Sequence, residues 1–205
     1  MAKIINIHSE NPQNRLINQV IDTLNNKGVI VYPTDSGYAL GCHLGDKKAM
    51  ERIIQIRNLD HKHNFTLVGK DLAEISKYAI IDNSSFRLIK NITPGAFTFI
   101  HKATKLVPKR LQNKKRKTIG FRIPNNEIAL AISITLGEPI LSSTLILPND
   151  DSPLIDPYEI NDLIGHSVDL IIDGGFCGFE PTTVIEMETS PPEIIRQGSG
   201  IVDFL

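Results

Sequence analysis

Apolar and polar positions along the chain follow two rhythms, one helical and one extended. Leu16, Ile17, Val20, Ile21 and Leu24 recur on one face at the helical spacing of three and four. Asn11-Pro12 ahead of them reads as a cap followed by proline at the first helical position, and Gly28 behind them as the stop. Val29 to Tyr32 is an unbroken apolar run, the pattern of a buried strand, which Pro33 is expected to end. Asp46 is placed to cap a second helix that turns Met50, Ile53 and Ile54 inward. Further on, the pattern predicts strands over 65–68, 96–100, 118–123, within 140–147, and over 168–172, 182–186 and 193–196. Short helices are expected after Asp71 and Asp82, another from Asn125 or Asn126 to near Gly137, and one after Asp156-Pro157, which repeats the cap-plus-proline signature.

Strands alternating with helices indicate an α/β fold with some parallel pairing, and the closely spaced C-terminal strands add antiparallel pairs. The expected architecture is therefore a mixed sheet with helices. No repeat, low-complexity segment or long linker divides the sequence, so residues 1–205 are expected to form a single domain. A length of 205 residues, 41% hydrophobic and 22% charged, is ample for a core and unlike a disordered chain. No apolar run approaches the roughly 18–20 residues a membrane span requires, and the N-terminal stretch lacks the pattern of a secretory leader. Cys42 and Cys177 form neither a disulfide framework nor a metal-ligand pattern, so a cytoplasmic location is expected and no metal site is assigned.

Net charge, −1, conceals an asymmetry. Residues 1–148 hold 21 basic and 11 acidic side chains, whereas 149–205 hold 1 and 12. A field concentrated in one region is what attracts anions.

Five segments carry candidate chemistry. The first is Pro33 to Gly41, where a strand delivers Thr34, Ser36 and Gly37 to a loop that reads either as a ligand site or as an ordinary turn. It is not a P-loop, because it lacks the glycine-lysine-serine ending. The second, Arg52 to Thr66, gathers Arg52, Arg57, Lys62, His61 and His63, a phosphate clamp or a solvated helix end. Two histidines without carboxylate or thiol support are too few to specify a metal. The third, Lys102 to Arg122, has nine basic residues and no acid, which reads as a solvated loop or as a surface for structured RNA. Few aromatics interleave it, so stacking on single strands is not indicated. The fourth is Ser142-Ser143-Thr144 at the end of an apolar strand. The fifth joins Asp173-Gly174-Gly175, Gly178 and Pro181-Thr182-Thr183 to Arg196-Gln197-Gly198. No Ser-His-Asp order, acid/base carboxylate pair or thiol nucleophile stands out, and the common denominator is an anion site.

In this order the segments resemble the YrdC/YciO family over nearly the whole chain. The resemblance rests on Pro33-Thr34-Asp35-Ser36-Gly37-Tyr38-Ala39-Leu40-Gly41, Pro94-Gly95-Ala96-Phe97-Thr98, Arg122-Ile123-Pro124, Gly137-Glu138-Pro139, Thr182-Thr183-Val184 and Arg196-Gln197-Gly198. Asn64 to Leu67 and Lys117 to Gly120 bring it nearest the YciO branch. It implies a twisted mixed α/β fold of YrdC (DHBP synthase-like) type with a concave basic surface. It also implies a nucleotidyltransferase activity: L-threonylcarbamoyl-AMP synthesis from L-threonine, bicarbonate and ATP, with Mg²⁺, for threonylcarbamoyladenosine formation in tRNA. The alternative it implies is a non-catalytic module that binds nucleotide or double-stranded RNA. By position, Thr34, Thr144 and Thr182 would meet the threonine substrate, and Arg57, Arg122 and Arg196 the nucleotide. Lys114, Lys115, Arg116 and Lys117 would meet tRNA or duplex RNA, and no catalytic residue is assigned. Gln55 stands where the family pattern has lysine, and Ile146 where it has asparagine. Oligomeric state, a homodimer included, is left open.

Overall fold

A computed structural model of the chain describes residues 1–60 and 63–203. In chain order its elements are β1 (Lys3–Asn6), α1 (Asn14–Asn25), β2 (Ile30–Thr34), β3 (Gly37–His43), α2 (Lys47–Ile56), β4 (Thr66–Val68), α3 (Leu72–Ile75) and α4 (Asn83–Ile92). There follow β5 (Phe97–Lys102), β6 (Thr118–Arg122), α5 (Glu127–Leu136), β7 (Ile140–Thr144), α6 (Pro157–Ile164), β8 (Leu170–Asp173), β9 (Thr183–Glu186) and β10 (Glu193–Arg196). The strands form one sheet in the order β1-β8-β2-β3-β7-β4-β6-β5-β9-β10. Pairing is mixed, as expected: β1–β8, β2–β8, β4–β6 and β5–β9 run parallel and the remaining neighbours antiparallel.

Helix starts follow the sequence signals where an acidic or amide cap is present. Asp46 accepts from the backbone N–H groups of Lys48 and Ala49 at 2.8 and 3.1 Å, Asn126 from Ala129 at 3.0 Å, and Asp156 from Tyr158 at 2.8 Å. Gly137 ends α5 at φ 75°, in the left-handed region. The first helix differs. It begins at Asn14 rather than after Asn11, because His8 Nδ1 accepts from the N–H groups of Glu10 and Asn11 and holds that segment in its own turn.

Pro33 lies within β2 instead of ending it. β8 pairs only with Ile30 and Val31, so a proline further along that edge removes no ladder bond. Beyond the turn at Asp35 and Ser36, the segment read as loop is the buried strand β3. Its Gly41 lies so close to Tyr32 and Ile140 that a Cβ would stand 2.9 Å from each. β1, too, forms from a stretch whose few apolar residues gave no strand signal.

Helices cover the two faces unequally. On one face, Ile17 and Val20 of α1 and Ile128 and Ile132 of α5 pack over Ile30 and Ile172. On the other, Ile53, Ile89 and Ile160 from α2, α4 and α6 join a core running across the sheet to Phe99, Phe121 and Ile185. Strand side chains alternate between faces. The partners of Phe99, Phe121 and Ile185 on the opposite face are therefore Thr98 and Ile100, Gly120 and Arg122, and Val184 and Glu186. These residues line an open cleft instead of a core. Among the described residues, no helix is long and apolar enough to cross a membrane.

Candidate functional site

The cleft has a volume of about 650 Å³ and reaches from the β6–β5–β9 surface to the C-terminal end of β7. It brings together five of the six residues assigned to substrate and nucleotide, Arg57, Arg122, Thr144, Thr182 and Arg196. They come from the end of α2, from β6 and β7, from just before β9 and from β10.

Each arginine is held by a fixed set of acceptors. Arg122 is 6% exposed; it donates to the Asp35 carboxylate and, at 2.8 Å, to Ser36 Oγ. Asp35 also accepts the N–H of Asn125 at 2.9 Å, so one carboxylate locks the β2–β3 turn against the end of β6. Arg122 Nε has no partner among the described residues. Arg196 donates through Nε and Nη2 to the carbonyl of Thr182, at 3.1 and 2.8 Å, and Thr182 Oγ1 shares a 2.8 Å bond with Thr98 Oγ1. That approach depends on Gly198, where a Cβ would fall 2.1 Å from the Pro181 carbonyl. Arg57 donates through Nε to the Ile146 carbonyl at 3.0 Å and through Nη1 to Ser143 Oγ.

Burial lowers the proton affinity of Arg57 and Arg196, and for Arg196 the neighbouring Arg122 charge adds to it. Of the three, only Arg122 forms an ion pair with a carboxylate among the described residues. An arrangement with more cations than counterions favours an anionic ligand, and guanidinium groups suit the forked contacts of carboxylate and phosphate.

Thr34 is placed differently. It is 2% exposed, its hydroxyl donates to the Gly37 carbonyl at 2.6 Å and accepts the Ser36 N–H at 3.2 Å, and it does not line the cleft. Its role in the structure is to hold the turn that carries Asp35. In the basic connector, Asn113 caps a turn by accepting from the N–H groups of Lys115 and Arg116 at 3.1 and 3.0 Å. Lys114, Lys115, Arg116 and Lys117 are all exposed, and Lys115 and Arg116 border the cleft. Arg116 is not an unpaired cation: it contacts the buried Glu186 carboxylate at 2.6 Å. Gln55 lies outside the cleft, beside Arg52, Ile56 and Ser167, whereas Ile146 lines it.

Sequence reasoning named Ser143 without a role and missed Asp35, Thr98 and Glu186 as parts of this constellation, although each lay in or beside a segment already noted. His63 also lines the cleft. His61 and Lys62 fall outside the described residues. Burial raises both thiols, Cys42 to about 12 and Cys177 to about 11, so neither supplies a thiolate near neutral pH. Among the described residues no three His, Cys, Asp or Glu side chains gather as a metal site.

The family model named for Sua5, YciO and YrdC, with the description "Telomere recombination", matches residues 22–198. The chain belongs to this family. An uncharacterized protein of Haemophilus influenzae is 58% identical over 201 residues, covering 98% of this chain and 97% of that one. Escherichia coli K12 YciO is 54% identical over 202 residues, 98% of each chain, and its crystal structure superimposes with a TM-score of 0.96 over 100% of both. More distant members include a threonylcarbamoyl-AMP synthase of Nitrosococcus oceani, 29% identical over 72% of this chain and 79% of that one. The structure of P. abyssi Sua5 complexed with L-threonine shares the fold, with a TM-score of 0.88 at 22% identity over 96% of this chain and 58% of that one. The single mixed α/β fold expected from the resemblance is thus the fold of the family.

Proposed function

We infer that the cleft binds ATP and a small amino acid of the L-threonine class, and that the protein acts as a threonylcarbamoyl-AMP synthase-like nucleotidyltransferase in the cytoplasm. One observation carries this reading. Arg57, Arg122 and Arg196, far apart in sequence, converge on one cleft whose wall also presents the Thr98 and Thr182 hydroxyls. The distant relatives support it: one is a threonylcarbamoyl-AMP synthase, and the P. abyssi protein was captured with L-threonine.

In this reading the reaction joins the carbamate of threonine, formed with bicarbonate, to the α-phosphate of ATP, and pyrophosphate leaves. The chain's contribution is positional and electrostatic. Arg57 and Arg196 neutralise phosphate oxygens, and Arg122, kept in place by Asp35 and Ser36, presents its remaining donor surface to a carboxylate or phosphate. Thr182 and Thr144 supply hydroxyls for the amino-acid end. The carboxylates nearest the cleft, Asp35 and Glu186, are engaged by Arg122 and Arg116. The described residues therefore do not fit a protein-held magnesium ion, and the metal would arrive with the triphosphate.

A second reading has its own observation. Lys114, Lys115 and Lys117 stand exposed on the connector, Lys115 at the edge of the cleft, and none forms an ion pair among the described residues. They suit the phosphates of tRNA or another duplex RNA. Under this reading the module holds nucleotide or RNA without turning it over.

The deciding assay is pyrophosphate release from ATP by the purified protein, dependent on L-threonine and bicarbonate. The synthase reading expects release that Arg57→Ala abolishes. Absence of release, or release that Arg57→Ala leaves intact, overturns it.

A further inference from the structure

Ser143 and His63 make a pair in the cleft that nucleotide binding does not explain. Ser143 Oγ lies 3.1 Å from His63 Nε2 and accepts a hydrogen bond from Arg57 Nη1. Because the guanidinium can only donate, the Ser143 hydroxyl proton is directed to the imidazole when Nε2 carries none. All three residues line the same cleft, and Ser143 itself is 6% exposed.

The ring of His63 is fixed edge-on to Phe65, with centroids 5.4 Å apart. Among the described residues, the charge that acts on it is Arg57. Burial, then that charge, push His63 down to about 4, so near neutrality its imidazole is uncharged and able to accept a proton. An anion settling on Arg57 would offset the guanidinium charge and make His63 a stronger base. Proton acceptance is thereby linked to occupation of the cleft by a phosphate.

We propose that Ser143 is a nucleophile, His63 its general base and Arg57 its electrostatic support, and that this group of residues discharges an acyl group from a nucleotide-linked acyl anhydride. In the first step Ser143 Oγ attacks the acyl carbonyl carbon, and its proton passes to His63 Nε2. A new carbon–oxygen ester bond forms, the carbon–oxygen bond to the phosphate breaks, and AMP leaves with the bonding pair. His63 releases its proton to solvent. In the second step His63 accepts a proton from water, and the hydroxide formed attacks the ester carbon. The acid leaves, and His63 returns the proton to Ser143 Oγ. The net reaction is acyl adenylate plus water to carboxylic acid plus AMP, with no oxidant or further reactant. The pair follows the logic of an activated nucleophile: hydroxyl and base within hydrogen-bond reach, with a cation beside the developing charge.

The choice of an adenylate as substrate rests on the nucleotide reading above, but acylation of Ser143 does not. A simple ester therefore separates the two: pyrophosphate release tests the first and ester turnover the second. The probe is p-nitrophenyl acetate, followed by nitrophenolate release and by peptide mass mapping of the full-length protein. The proposal expects an acetyl group on Ser143, lost in Ser143→Ala and retained on the thiol in Ser143→Cys, a variant that keeps a nucleophile should the alanine protein fold poorly. His63→Gln should acylate about 100-fold more slowly or worse, in line with the usual contribution of a general base. The wild-type rate should also show an acidic limb near pH 4 that His63→Gln lacks. Acetyl groups found elsewhere but not on Ser143, or acylation of His63→Gln at the wild-type rate, overturn the proposal.

Discussion

Arg122, at the end of β6, donates to Asp35 in the turn between β2 and β3, tying together parts of the sheet that two intervening strands, β7 and β4, separate. Both side chains are largely buried, 7% and 13% exposed, so the pair holds a guanidinium at the cleft wall in a fixed orientation. Removing one partner of such a pair leaves an uncompensated buried charge. Asp35→Ala should therefore destabilise the protein by about 3 kcal/mol, read from the urea midpoint. Asp35→Asn should lose less, because its single amide oxygen can still accept from Arg122 or from the Asn125 N–H, though not from both.

Thr98 and Thr182 test the opposite rim. Their hydroxyls share a 2.8 Å bond, while the Thr182 carbonyl receives two donors from Arg196. Thr98→Val keeps shape but removes one partner, and a cost of about 1 kcal/mol is expected in chemical unfolding. Arg196→Ala should affect stability little and ligand affinity strongly, with the Kd for ATP raised about 10-fold or more, equivalent to about 1.4 kcal/mol.

His63 predicts a pH dependence of stability. Its folded value, about 4, lies below the ordinary 6.5, so the unfolded chain binds the proton more readily. The stabilisation from keeping His63 neutral is complete above pH 6.5 and is lost as pH falls toward 4. His101 is displaced in the same direction, mainly by burial, and so adds to the loss of stability as pH falls below 6.5. His63→Gln should thus flatten, without removing, the decline of the urea midpoint between pH 6.5 and 4.

The basic connector predicts a split between neighbours. Lys114→Ala, Lys115→Ala and Lys117→Ala together should weaken duplex-RNA binding and lower the salt slope by about one unit per lysine, measured by fluorescence anisotropy across a salt series. Arg116→Ala should act on the fold as well, because it strips the 2% exposed Glu186 side chain of its ion pair. A lower thermal midpoint for Arg116→Ala, absent from the lysine variants, is the expected distinction.

Much of the fold was legible wherever local signals and tertiary demands agreed. Asp46, Asn126 and Asp156 marked helix starts because a short polar side chain there satisfies backbone N–H groups whatever surrounds it. β5 and β6 were legible as strands, but not that one face of each would line the cleft. β3 was not legible, because Gly37 and Gly41 carry loop propensity while serving close packing that only the folded sheet creates. Pro33 misled for the same reason: its tolerance in β2 depends on where β8 stops pairing. At the site, residue types were readable and roles only partly so. Thr34 had the chemistry of a ligand contact, yet its hydroxyl is engaged by its own turn. Arg116 had the charge of an RNA contact, yet a carboxylate remote in sequence, Glu186, holds it.

The central claim is that Arg57 and Arg196 bind nucleotide phosphates in one cleft, and calorimetric titration with ATP in the presence of L-threonine tests it most directly. One ATP per chain is expected, with affinity falling about 10-fold or more in Arg57→Ala and in Arg196→Ala and unchanged in the exposed connector variant Lys109→Ala. No heat of binding to the folded wild-type protein, or equal affinity in all four proteins, would contradict it.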